Sequence, residues 1–197
     1  MTFGHLVKPK RIAVDFDGVL GDLHRLVSDL MQWHTGKKFD PVSVNDWDYW
    51  DRLGYGREFT GVLDMLDTTY LRRAVAPVNP LSCPAVKWLE KRGHKVVILS
   101  SNRPISLMSM KSWLFSHGLD TPVQLLDRGS AAMKLKEPFD VYIDDSPHLA
   151  VTMGHHVGKK ELFLVRQPWN TGVVGTRNIF VIERWEKVFS QFEERGL

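Results

Sequence analysis

Short apolar runs recur along the chain, separated by segments with helical spacing. Arg11–Phe16 (RIAVDF) is such a run, flanked by KPKR and DG, and it predicts a buried parallel strand. Lys95–Ser100 (KVVILS) has the same character and follows the helix-like PAVKWLEKRG, which Gly93 is placed to end. Val123–Leu126, Val141–Ile143 and Leu162–Val165 predict three more strands, and Ile179–Ile182 an edge strand. Helices are predicted over Ser106–His117, Gly129–Lys136 and Pro147–Met153. The charged segment Glu183–Glu194 reads as an amphipathic cover for the sheet. From residue 84 onward strand and helix alternate, as in an open sheet with helices on both faces.

The rhythm breaks early. Gly21–Pro80 contains no strong apolar strand. It has helix-like patches at Leu23–His34, Glu58–Met65 and Thr68–Val75, and an aromatic stretch, NDWDYWDRLGYG, in which Gly54 and Gly56 mark a loop. Pro77 and Pro80 mark the return. The expected fold is α/β: a Rossmann-like parallel sheet sandwiched by helices, with a small helical cap inserted after the first strand. Residues 1–20 and 78–197 would form the core domain and 21–77 the cap.

Composition narrows the classes. The chain has 197 residues, 43% hydrophobic and 25% charged, which suits one ordinary globular domain with a modest insertion. No apolar run reaches 18 residues, so a membrane-spanning helix is not expected. The opening MTFGHLVKPKR lacks the long apolar stretch of a signal peptide. Cys83 is the one cysteine, which excludes an intrachain disulfide and a cysteine-based zinc site, and makes a reducing cytoplasm the simplest compartment. Cys83 itself reads as a packing residue. Lys plus Arg total 26 against 23 acidic residues, a net +3. That is too little to argue for nucleic acid as partner, and polybasic runs are absent.

Ligands of an open parallel sheet bind beyond the carboxyl ends of its strands. The first strand ends in Asp15-Phe16-Asp17-Gly18, the second in Ser100-Ser101-Asn102-Arg103, the fourth in Asp144-Asp145-Ser146. Neighbouring strands would thus bring four carboxylates together with hydroxyls. The carboxylates would repel and raise one another's pKa. A hard divalent cation with oxygen ligands relieves this, and Mg2+ fits because it leaves room for waters and phosphate.

In these residues the sequence resembles the haloacid dehalogenase (HAD) superfamily of phosphotransferases. DxDx[TV] is matched by Asp15-Phe16-Asp17-Gly18-Val19, and the apolar strand ending in a hydroxyl by VVILS at Ser100. VYIDD at Asp144 and Asp145 matches the acidic pair. For the intervening lysine Lys134 is preferred over Lys136, since its ten-residue lead to Asp144 resembles one subfamily; Arg128 is a further basic candidate. The resemblance implies that Asp15 is the nucleophile, forming an aspartyl phosphate, and that Asp17 is the general acid and base. It implies Mg2+ on Asp15, the Asp17 carbonyl and Asp144, with Asp145 near the ion. Ser100 and backbone N–H groups near Ser101 would hold phosphoryl oxygens, and Lys134 would neutralise charge. Gly18 and Asn102 belong to the same substrate-binding edge.

A narrower resemblance is to the 5'(3')-deoxyribonucleotidases, carried by DFDGVLGDL, the Trp- and Asp-rich cap, ILSSNRP, IDDSP and FLVRQPWN. Ser146 departs from it, since animal members often have Arg there. It implies a nucleoside monophosphate substrate and a homodimer. Trp47, Tyr49 and Trp50 would supply a surface for stacking a base, or alternatively the core of the cap. Trp33, Trp88, Trp113, Trp169 and Trp185 read as packing residues. His155-His156 makes a poor metal pair, having no evident third ligand. The same motifs would serve a sugar-phosphate phosphatase, a nucleic-acid 3'-phosphatase or a nucleotide-binding module without catalysis.

Overall fold

The computed structural model describes residues 8–40, 43–69, 71–126, 130–155 and 158–197. Arg128 and His156 lie outside the described residues. Six strands form one parallel sheet: β1 (Arg11–Val14), β2 (Lys95–Ser100), β3 (Val123–Leu125), β4 (Val141–Asp144), β5 (Glu161–Val165) and β6 (Ile179–Ile182). Their order across the sheet is β3-β2-β1-β4-β5-β6. The chain reverses its direction of winding between β1 and β4, which are paired through Ile12–Val141 and Val14–Ile143. That reversal opens a crevice at the carboxyl ends of these two strands.

Both faces of the sheet are buried, which is why its strands read as continuous apolar runs. Side chains alternate between the faces. Ile12, Val14, Ile98, Ile143 and Phe163 join one cluster. Ala13, Leu99, Tyr142, Leu162 and Leu164 join the other. The first face is covered by α4 (Ser82–Lys91), α5 (Leu107–Ser116) and α8 (Val188–Glu194). The second is covered by α6 (Ala131–Lys136) and α7 (Pro147–Gly154). Gly93 turns the chain out of α4 with φ +85°.

Between β1 and α4 lie α1 (Leu23–Thr35), α2 (Tyr49–Arg52), α3 (Gly56–Thr68) and a 3-10 turn at Leu71–Ala74. Here a separate cluster forms around Val27, Met31, Phe39, Trp50, Val62 and Leu66. The chain enters and leaves this insert side by side: Asp22 N–H donates to Ala76 O at 2.8 Å and Val78 N–H to Leu20 O at 2.9 Å. The buried Trp113 indole donates to Val75 O at 2.6 Å and meets Phe16 edge-on at 4.9 Å. Its truncation to alanine would cost about 3–5 kcal/mol.

Several expectations need correction. The last helix is shorter than Glu183–Glu194, because Arg184 is extended and a 3-10 turn at Trp185–Lys187 intervenes. Gly56 opens α3 instead of sitting in the loop, while Gly54 makes the turn with φ +80°. Trp33 is 77% exposed and is no packing residue. Trp113 and Trp185 are buried, as is Cys83. Among the described residues, no helix is long and apolar enough to cross a membrane.

Candidate active site

The loop after β1 carries the first carboxylates into the crevice. Asp15 N–H continues the ladder to Ile143 O at 2.8 Å, then the chain folds back so that Leu20 and Gly21 both donate to Phe16 O. This tight return needs φ +75° at Gly18. Gly18 is also where the β4 loop comes closest: a Cβ there would lie 2.1 Å from Asp145 Oδ2. Only glycine meets both requirements.

Asp15, Asp144 and Asp145 each place a carboxylate oxygen within 4.8 Å of the others. Lys134, on α6, donates from Nζ to Asp15 Oδ2 at 2.9 Å and to Asp144 Oδ2 at 2.6 Å. Lys136 is exposed. Three carboxylates against one ammonium leave two negative charges. Burial chiefly, with the Asp144 and Asp17 charges, pushes Asp15 up to about 7 against the pull of Lys134. Asp145 is held well above the usual carboxylate range by burial and then by Asp144 and Asp15. Burial works against the charge on Lys134, but Asp144 and Asp15 outweigh it and raise its pKa.

Asp17 points elsewhere. Its Oδ1 accepts from Arg72 at 2.6 Å and its Oδ2 from Asn102 Nδ2 at 2.6 Å. Asn102 Nδ2 also lies 2.7 Å from Ser100 Oγ. The Asp17 carboxylate therefore stands outside the three-carboxylate cluster. Ser101 borders the same cavity, and its Oγ is buried without a hydrogen-bond partner among the described residues. A buried unpaired hydroxyl is a place where a ligand oxygen gains most.

A cavity of about 710 Å³ opens above these groups. Its floor includes Asp15, Asp17, Ser100, Ser101, Lys134 and Asp145; its roof, from the insert, includes Leu23, Val27, Val44, Trp47, Trp50 and Phe59. Trp47 is 48% exposed and meets His148 of α7 edge-on at 5.7 Å, so it spans insert and core. Trp50 is 5% exposed, stacked on Phe59, and reaches the cavity from the core of the insert. Tyr49 packs edge-on against Trp50.

Several residues here escaped the sequence reading. Trp169, expected only to pack, lines the cavity, donates from Nε1 to Asp145 Oδ2 at 3.0 Å and meets His24 at 4.8 Å. Gln167 Nε2 donates to Gly18 O at 2.6 Å, and Asn170 Nδ2 to Asp145 O at 2.8 Å. The loop after β5 thus braces both acidic loops. Its position at a strand's carboxyl end was the signal available. Arg72 and Asp67, buried in the insert, had none.

Comparison with protein-family models and with curated proteins finds no match. Solved structures do match. A protein from Burkholderia xenovorans LB400 described as a haloacid dehalogenase-like hydrolase aligns over 96% of this chain and 100% of its own, with TM-score 0.63 and 17% identity. The fold is that of the haloacid dehalogenase-like hydrolases. A HAD family hydrolase from Deinococcus radiodurans R1, solved with bound phosphate and sodium, covers 97% of this chain and 98% of its own at TM-score 0.62 and 14% identity. A β-phosphoglucomutase from Clostridium difficile covers 96% and 97% at TM-score 0.60 and 11% identity. At such identities the likeness is one of fold, and the chemistry rests on the site.

Proposed function

We propose that this protein is a Mg2+-dependent phosphomonoesterase working through an aspartyl phosphate, with a nucleoside monophosphate, in the first instance a deoxyribonucleotide, as its substrate. The observation that carries the reading is Lys134 bridging Asp15 and Asp144 beside Asp145, at the floor of a cavity edged by the unpaired Ser101 hydroxyl. The donor set fits magnesium: all oxygen, with two negative charges left for a divalent cation. Asp15, Asp144 and Asp145, with the Asp17 carbonyl, are the residues that would hold it. When bound, the ion supplies charge neutralisation for the phosphoryl oxygens and for Asp15.

In the first half-reaction an Asp15 oxygen attacks phosphorus as the ester P–O bond breaks. The electron pair leaves on the alkoxide oxygen, which takes a proton from Asp17. A water oxygen then attacks phosphorus and gives its proton to Asp17, the Asp15–phosphorus bond breaks with its electron pair returning to Asp15, and inorganic phosphate forms. Both Asp17 oxygens accept hydrogen bonds here, the form that receives a proton. Lys134 supports the charge on Asp15, and Ser100 and Ser101 face the phosphoryl oxygens.

The roof favours a nucleoside. Apolar and aromatic side chains dominate it, which suits the face of a base; the many hydroxyls of a sugar would need polar partners. A sugar phosphate is the second reading, favoured by the β-phosphoglucomutase among the similar folds. A panel of monophosphates assayed with magnesium decides. The expected result is preference for nucleoside monophosphates; preference for sugar phosphates over all nucleotides rejects it, and turnover only of oligonucleotide ends transfers the activity to nucleic acid. Asp15→Asn should abolish turnover of p-nitrophenyl phosphate; retained activity in that variant would exclude the covalent route, and absence of turnover in the wild type would leave a binding module as the alternative.

A further inference from the structure

Arg72 is the most deeply buried charged group of the insert, 1% exposed, on a 3-10 turn remote in sequence from every strand end. It takes no part in the cavity lining. Its guanidinium is spent on three partners. One nitrogen donates to Asp17 Oδ1 at 2.6 Å, another lies 3.3 Å from Asn102 Oδ1, and Nε donates to Asp67 Oδ1 at 3.0 Å. Asp67 is itself buried at the end of α3. Its other oxygen lies 3.5 Å from Arg103, which also pairs with Asp64 of α3. Two acidic residues of α3, the basic turn, Asn102–Arg103 after β2 and the Asp17 carboxylate thus form one continuous charged network.

A guanidinium fork fixes direction as well as distance. Arg72 and Asn102 together take one oxygen each of Asp17, which determines the plane of that carboxylate. We infer that Arg72 is a positioning residue for proton exchange: it aims Asp17 at the leaving-group oxygen and ties that aim to α3 through Asp67. The inference rests on the phosphomonoesterase reading. In the step concerned, the ester P–O bond breaks, its electron pair stays on the departing oxygen, and the Asp17 proton joins that oxygen. An ester whose leaving group is already stable as an anion needs no such proton.

That difference supplies the test. Arg72→Lys keeps a buried cation but loses the fork; Asp67→Asn keeps the fork but loosens its anchor. For wild type and both variants, kcat/KM is measured with saturating magnesium on 2,4-dinitrophenyl phosphate and on a nucleoside monophosphate. Since general acid catalysis contributes about 10²–10⁴-fold, Arg72→Lys should lose at least about tenfold more on the nucleotide than on the dinitrophenyl ester. Asp67→Asn should show the same bias to a smaller degree. In an Asp17→Asn background Arg72→Lys should add no further bias, because two residues acting through one group are not additive. Equal losses on the two esters would make Arg72 a purely structural residue and overturn the inference. If Arg72→Lys fails to fold, the Asp67→Asn bias alone decides: present, it supports the positioning role; absent, it refutes it. Wild-type protein inert towards every ester overturns the phosphomonoesterase reading itself, and the inference with it.

Discussion

Replacing Lys134 with methionine keeps most of the side-chain volume and removes one charge. That charge sits 2.9 Å from Asp15 and 2.6 Å from Asp144, and all three groups are largely shielded from water. Removing one member of a buried ion cluster costs about 3–5 kcal/mol, because uncompensated charge stays behind. The cluster can recover part of this by taking up a proton, since Asp15 is already pushed up to about 7 and Asp145 well above its ordinary value. The loss at neutral pH is therefore set at the lower end, about 3 kcal/mol, or roughly 6–12 °C in melting temperature for a chain of this length. Thermal denaturation in chelator reads it. Saturating magnesium should restore most of the stability, because a divalent cation neutralises the same carboxylates. Turnover should stay about 10²–10³-fold down, as expected when one preorganised donor to a developing charge is lost. A variant melting within about 1 °C of wild type in chelator would refute the electrostatic reasoning. Recovery of full turnover by magnesium would refute a role for Lys134 towards the phosphoryl group.

Three further outcomes follow from the same geometry. The folded-state pKa of Asp15 lies above its ordinary 3.8, so its contribution to metal-free stability is full below that value and lost as pH rises through about 7. Urea unfolding in chelator should show a steeper fall of stability across that window in wild type than in Asp15→Asn, and parallel slopes would contradict it. Gly18→Ala combines a left-handed φ with a Cβ 2.1 Å from Asp145 Oδ2, so it should lose about 1–3 kcal/mol and also weaken magnesium-induced stabilisation. An unchanged magnesium shift in thermal denaturation would sink that. Trp169→Phe keeps the ring against His24 and loses the N–H on Asp145; magnesium affinity by calorimetry should fall about 10–100-fold, and an unaltered affinity would deny Trp169 any hold on the acidic pair.

The sheet was legible because burial on both faces leaves an unmistakable trace. In KVVILS and ELFLV polar residues stand only at the first or last position, and the strands lie where those runs lie. Asp15, Asp144 and Asp145 were legible for the same reason: each follows such a run directly, and a parallel sheet presents its carboxyl ends together. Trp169 obeys that logic too, following β5 by four residues, but a tryptophan beside an apolar strand reads equally as packing. Arg72 is different in kind. It stands beside Arg73 in a segment without strands, one buried and the other exposed, and nothing in the local pattern separates them. Its burial is tolerable because the folded chain sets two carboxylates against it, Asp67 of α3 at 3.0 Å from Nε and Asp17 at 2.6 Å from another nitrogen. Trp33 fails in the opposite direction, as an aromatic on an amphipathic helix that ends up facing solvent.

The residues with chemistry and the residues that aim them thus come from different parts of the chain. Strand ends provide carboxylates, hydroxyls and, through α6, one ammonium. Their orientation comes from outside these motifs: Arg72 of the insert on Asp17, Trp169 and Asn170 after β5 on Asp145, Gln167 on the Gly18 turn. The insert consequently holds the site twice, through Trp47 resting on His148 across the cavity and through Arg72 on the Asp17 carboxylate. A change in the roof that shifts α3 would move Asp67, then Arg72, then Asp17. If the proposed chemistry holds, substrate fit under the roof and proton delivery at the floor would therefore be coupled mechanically. Substitutions in the insert that never touch a ligand should alter kcat as well as KM, with the leaving group determining by how much.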